Sequence, residues 1–180
     1  MHEARLRTGQ SIPDSERAEL VEMSTKALSI AKESRNAFII AMTQNNHALT
    51  VFLTRAYGSF TDVCDMLRNS LGVCLQIGHR QGVMQLFGLI GIVSASQASA
   101  ADSDEMRSRY FERTAHLFGA QKAEADRMEV RLPRIDQDLS RSTAAKTAEV
   151  LGSQRYAESE SAGRALGFRQ AVAFALETVP

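Results

Sequence analysis

The sequence predicts an all-α protein, built as a stack of antiparallel helix pairs with a helical cap at its C-terminal end. Three observations point there. Proline occurs only three times in 180 residues, and the balance of 44% apolar to 23% charged residues is that of a soluble globular domain. Apolar residues recur at i, i+3 and i+4 through most of the chain, the period of an amphipathic helix. The helical segments also repeat: Ala27-Leu28 answers to Ser70-Leu71, and Ala37-Phe38-Ile39 to Gly82-Val83-Met84. That offset of about 43–45 residues lies within the range of helix-pair solenoids.

The organising stretch is Phe111–Pro133, read as one long helix. Phe111, Ala115, Phe118, the aliphatic stem of Lys122 and Ala125 form its stripe, and Leu132-Pro133 its stop, because proline cannot continue the helical ladder. From the N-terminus, residues 1–12 are expected to be a flexible segment. Ser11 or Asp14 is a candidate cap for a helix reaching about Ser34, with Leu20, Met23, Ala27, Ile30 and Ala31 on its apolar face. Arg35-Asn36 breaks the pattern. The next helix, Ala37–Tyr57, should bury Phe38, Met42, Leu49, Phe52, Leu53 and Ala56. Thr61 or Asp62 is expected to cap a helix through Leu75, with Val63, Met66, Leu67, Ser70, Leu71 and Cys74 inward.

Ile77–Gly82 reads as a glycine-bounded turn, followed by a very apolar helix over Val83–Ser96. Gly88 and Gly91 cost that helix about 1 kcal/mol each against alanine, so close approach of another helix is the expected compensation. Ala98–Asp104 reads as a loop. After Pro133, three short helices are expected over Ile135–Leu151, Ser153–Leu166 and Phe168–Thr178, divided at Gly152 and Gly167. The last presents Phe168, Val172, Phe174, Ala175 and Leu176, and its expected dock is Tyr156 and Leu166. The chain thus divides into a flexible segment over 1–12, helix-pair repeats over 13–133 and a helical cap over 134–180.

Charge and composition exclude several functions. With 21 basic and 21 acidic residues, the chain has no cationic excess for a phosphate backbone, and direct nucleic-acid binding is not expected. The apolar run Val83–Val93 is too short to span a bilayer, and no signal-peptide core opens the chain, which points to a cytoplasmic protein without a membrane partner. Cys64 and Cys74, on one helix, lie about 15 Å apart and cannot form a disulfide. The histidines His2, His47, His79 and His116 have no ligand spacing, so no metal is expected. No phosphate-cradling glycine motif and no nucleophile–base motif occurs, so neither a cofactor nor catalysis is expected. The candidate binding surface is the neutral polar stripe Thr43, Asn46, His47, Thr50 and Thr54, whose donors and acceptors could read a peptide backbone or a small polar ligand.

Gly58, Phe60, Val63, Leu67 and Ser70 have the spacing of a tetratricopeptide-repeat core. Further on come Glu112–Ala120 (E-R-T-A-H-L-F-G-A), Arg131-Leu132-Pro133, Val150-Leu151-Gly152, Tyr156, Ala162-Gly163-Arg164-Ala165-Leu166 and Gln170-Ala171-Val172. In this order they resemble the C-terminal helical-repeat domain of large bacterial regulators, in which a signal-transduction ATPase is joined to a LuxR-type DNA-binding or a nucleotide-cyclase domain. The upstream helix pairs are similar to the maltose-regulator type of tetratricopeptide repeat. Ala101–Phe111 departs as an insertion of roughly three helical turns, and Arg169-Gln170 stands where the family favours acidic residues.

The resemblance implies a TPR-like α-solenoid and a non-enzymatic interaction or sensory module. Its partner would be a protein or peptide, the other domains of a larger regulator, or a second copy in a homodimer. A small-molecule effector domain using the concave groove is the alternative.

Overall fold

The computed structural model describes residues 13–177, all of whose regular structure is helical. The expected flexible segment 1–12, the Ser11 cap and the end of the last helix at Thr178 lie outside the described residues. The helices are α1 (Asp14–Glu33), α2 (Ala37–Thr54), α3 (Phe60–Gln76), α4 (Arg80–Ser99), α5 (Asp104–Met128), α6 (Arg134–Leu151), α7 (Ser153–Ala165) and α8 (Phe168–Leu176). They form two compact units that divide between Leu86 and Phe87, inside α4.

In the first unit, α1 packs on α2 and α2 on α3. Pro13 precedes α1 without a side-chain cap, so Asp14 is not a cap and instead lies in the first turn beside Glu16, where acids favour the helix dipole. Arg35 leaves the helix in a left-handed conformation (φ 53°), and Asn36 starts α2 by accepting the amides of Phe38 and Ile39 at 3.0 and 3.2 Å. Helix α3 opens on a capping box: the Ser59 amide donates to Asp62 at 2.7 Å, and the Asp62 amide to Ser59 at 3.3 Å. Ser59 is therefore the cap, and Asp62 its partner.

The inward face of α3 is the expected one, with Val63, Leu67, Ser70, Leu71 and Cys74 buried. The faces of α1 and α2 are rotated from expectation. On α1, Val21, Ser24 and Leu28 are half-buried and Ala31 buried, while Met23, Ala27 and Ile30 are exposed. On α2 the buried line is Ala41, Asn45, Ala48, Val51 and Thr54; Phe38 and Ala56 are exposed, and Met42, Leu49, Phe52 and Leu53 half-buried. The physical reason is size. Hydrophobicity singles out the large side chains, but two helices approach closest where side chains are small, which moves bulky residues to the flanks of the seam.

In the second unit α5 is the hub. It contacts α6, α7 and α8, and its Thr114 hydroxyl donates to the Gly91 carbonyl of α4 at 3.0 Å. Burial extends well beyond the expected stripe to Thr114, Leu117, Gly119, Ala120, Gln121, Ala123 and Glu124, whereas Lys122 is exposed. Ser103 caps α5, which ends at Glu129 in a left-handed turn (φ 53°) rather than at Leu132. Pro133 instead precedes the first turn of α6, with Gln137 donating to the Leu132 carbonyl at 2.6 Å. Gly88 and Gly91 of α4 both meet α5 as expected. A Cβ on Gly88 would lie 2.2 Å from Gln121 Nε2, and one on Gly91 would lie 3.0 Å from the Phe118 ring.

The tightest contact joins α5 to α7. A Cβ on Gly119 would stand 2.0 Å from the Glu160 carbonyl oxygen, and one on Gly163 would stand 1.9 Å from that of His116. Ala115, Gly119 and Ala123 recur every fourth residue, as do Ser159 and Gly163, so each helix offers a small-residue ridge. The ion pairs Glu112–Arg155, Lys122–Glu160 and Asp126–Arg164 flank the crossing at 2.5, 2.6 and 2.6 Å. Their ascending order shows that the two helices run in the same sense, with α6 as the return.

Helix α8 docks on α5. Arg113 donates to the Phe174 and Ala175 carbonyls at 2.9 and 3.0 Å, closing the negative end of α8, and His116 stacks on Phe174 at 5.2 Å. Ala171 and Ala175 are its buried residues; Leu176 is exposed.

Changing Gly119 or Gly163 to alanine forces a methyl group into a neighbouring backbone, which cannot turn aside. Each is expected to cost about 3 kcal/mol or more, at or above the top of the usual overpacking range. Gly72→Ala in α3, where a Cβ meets nothing within 4 Å, is expected to stabilise by up to about 1 kcal/mol. Thermal unfolding followed by circular dichroism checks both; equal effects would refute the backbone-contact reading.

Candidate functional site

Helix α2 carries all five residues of the polar stripe, and the structure places each differently. Thr43 is half-buried and Asn46 exposed. The Thr50 hydroxyl donates to the Asn46 carbonyl at 2.8 Å. Thr54 is buried and donates to the Thr50 carbonyl at 2.7 Å. Both hydroxyls are thus turned onto their own helix, which threonine does readily because its branched Cβ sets Oγ beside the preceding turn. They keep lone pairs but offer no proton to a ligand.

His47 faces α1. Its Nδ1 lies 3.0 Å from Ser24 Oγ, and that hydroxyl is also 2.9 Å from the Val21 carbonyl. A serine has one proton to give, and a carbonyl can only accept it. The contact with His47 is therefore Nδ1–H donating to Ser24, which leaves Nε2 as the acceptor. An activated serine needs the opposite arrangement, with its proton directed at the imidazole. Burial pushes the His47 pKa down, and the Lys32 charge pushes the same way, so the ring is neutral at pH 7.

Other polar groups missed in the sequence lie between α2 and α3. Ser70 donates to Asn45 Oδ1, an internal pair joining the two helices, with the Ala41 carbonyl at 3.5 Å. Burial pushes the Cys74 thiol up, with the Asn45 amide beside it acting the other way. In the second unit, burial pushes the Asp136 carboxyl up. Tyr156 is pushed up to about 12, by burial first and then by the charge and hydrogen bonding of Glu160.

Among the described residues, no three His, Cys, Asp or Glu side chains converge as a metal site, and neither cysteine is in a disulfide. Helix α4 is longer than expected and is apolar enough to cross a membrane, at a mean hydropathy of 1.3, but 78% of that stretch is buried by the protein itself. The conspicuous surface feature is apolar. Met23 and Ile30 of α1 are 62% and 58% exposed, and Phe38, Ile39 and Ile77 are exposed as well. Phe38 meets His79 edge-on at 4.8 Å, which brings the α1–α2 and α3–α4 turns to one end of the unit. Compared with known proteins, the chain matches no family model, no curated protein and no solved structure.

The lowered His47 pKa sets a sign. The unfolded chain binds a proton more readily than the fold, so this contribution is fully present above the ordinary imidazole value of 6.5 and is lost as pH falls through the lower folded value. His47→Gln is expected to lessen the fall in urea midpoint between about pH 7.5 and about pH 5.5. An unchanged fall would show that His47 is not its source.

Proposed function

We propose that this chain is a non-enzymatic interaction module of the helical-repeat kind, similar to the sensory repeat domains of bacterial regulators, and that its docking surface is the outer face of α1. The observation that carries this reading is that α1 is apolar on two sides. One line, Val21, Ser24, Leu28 and Ala31, turns inward; a second, Met23, Ala27 and Ile30, is exposed. A terminal helix needs one apolar stripe, and a second is what a helix inside a longer stack carries. The layer that covers it is a protein or peptide partner, the rest of a larger regulator, or a second copy of the chain.

The stacked-pair reading draws support from the succession of neighbours. Helices α1, α2 and α3 pack in sequence order, and α5 and α7 run in the same sense with α6 between them. A tetratricopeptide-type solenoid is built this way. The small-molecule alternative draws less support, because Thr50 and Thr54 spend their hydroxyl protons on α2 itself. Catalysis is left out because the Ser24–His47 contact has the wrong donor direction for a nucleophile. Two cysteines held as thiols rather than as a disulfide fit a cytoplasmic setting.

The test changes Met23 and Ile30 together to lysine. Both side chains are exposed, so the melting temperature should move little. Self-association in sedimentation, or retention of an identified partner on the immobilised domain, should be lost. A wild-type protein that stays monomeric at high concentration and retains nothing that the variant does not would sink the proposal.

A further inference from the structure

The turn between α3 and α4 is a Schellman motif. The His79 amide donates to the Cys74 carbonyl at 2.8 Å, the Gly78 amide to the Leu75 carbonyl at 3.2 Å, and Gly78 takes the left-handed conformation (φ 69°). This motif brings the side chain three residues inside the helix end against the one just past the turn. Apolar residues usually fill those two places; here they hold Cys74 and His79. The first turn of α4 confirms the approach. The point where a Cβ on Gly82 would stand lies 2.8 Å from Cys74 Sγ and 3.0 Å from His79 Nε2. A third donor reaches the same ring nitrogen from α2, because Met42 Sδ lies 3.3 Å from His79 Nε2.

We propose that Met42, Cys74 and His79 form a binding site for copper(I). A thiolate, a thioether and an imidazole are the soft donors that select this ion, whereas a structural zinc site wants four ligands and makes little use of thioether sulfur. Charge favours the same choice. Copper(I) replaces the Cys74 thiol proton, which leaves to solvent, and the resulting pair of a monovalent cation and a thiolate is neutral. A divalent ion on one thiolate would leave a net charge beside a buried sulfur, which is costly.

The setting suits the ion. Cys74 is fully buried, His79 and Met42 are half-buried, and the Phe38 ring stands against His79. Met42 Sδ and His79 Nε2 already have the separation of two ligands on one ion, given metal–ligand bonds of about 2.0–2.3 Å. Rotation about the flexible Met42 side chain and about χ1 of Cys74 is what would bring both sulfurs onto the ion. The proposal does not rest on the docking surface, since no residue of the outer α1 line takes part.

The experiment titrates the reduced full chain with copper(I) under anaerobic conditions, against a chromophoric copper(I) chelator. One ion per chain is expected, with X-ray absorption showing two sulfur and one nitrogen neighbours. Met42→Leu and His79→Gln, which keep side-chain volume, should each weaken binding at least tenfold, Cys74→Ser should abolish it, and Cys64→Ser should leave it unchanged. Should Cys74→Ser fail to fold, amide shift changes on adding silver(I) decide instead, and these should centre on Met42, Cys74 and His79. Failure of the wild type to compete with the chelator, binding that follows Cys64, or shifts centred elsewhere would overturn the proposal.

Discussion

The second unit depends on the crossing of α5 and α7, where two main chains touch without side chains between them. Gly119 and Gly163 each leave room for the other helix's backbone, with a carbonyl oxygen standing where a Cβ would be. Because the contact is made by backbone, which cannot rotate aside as a side chain can, the separation of the two helices has little room to vary. The flanking ion pairs have largely exposed cations, with side-chain exposures of 55, 51 and 45% for Arg155, Lys122 and Arg164. Exposed pairs of this kind are worth about 0–1 kcal/mol, so they set the register of the crossing more than they hold it together. Once α5 is enclosed, its polar side chains must find partners inside. Thr114 bonds Gly91, Arg113 closes α8, and buried Glu124 pairs with Arg127, which also reaches the Leu166 carbonyl at 3.2 Å.

The first unit uses small residues in a different way. Ala41 and Ala48 let α2 approach its neighbour closely, and between them Asn45 meets Ser70 of α3. A polar pair at the centre of an alanine seam adds little net stability, yet sliding either helix would strand a donor or an acceptor. The pair therefore specifies register, as the ion pairs do in the second unit. On the other side of α2, Ser24 and His47 stand in the same relation between α1 and α2.

How much of this was legible in the sequence follows from what each signal measures. The helical class, the sites of the breaks at Arg35-Asn36, Gly78 and Gly152, and the inward face of α3 were readable, because caps and glycines act locally and the α3 stripe is broad and one-sided. Close approach at Gly88 and Gly91 was readable from its cost in an apolar helix. The faces of α1 and α2 were not, because periodicity weighs hydrophobicity while packing selects for small size. The dock of α8 was not readable either: Arg113 looks like an ordinary surface charge until the end of α8 arrives above it. Of the polar stripe, only the shared helix was legible. Whether a threonine hydroxyl faces a ligand or its own carbonyl depends on a rotamer that residue order does not encode.

The two-sided character of α1 has an energetic consequence for the whole first unit. Its inner line joins Val21 and Leu28 to the small Ser24 and Ala31, so the seam with α2 buries little apolar area. The larger Met23 and Ile30 remain in water. At roughly 25 cal/mol per Å² of apolar surface, covering the outer stripe would add stabilisation that the fold alone does not collect. A partner covering that stripe then binds the folded helix and not the unfolded one, and stabilises it by mass action. The same α1 holds Ser24 against His47 of α2, the helix that carries Met42 to His79. If covering the outer face and filling the Schellman-turn site both favour a fixed α2, each strengthens the other, because coupling between two sites is reciprocal.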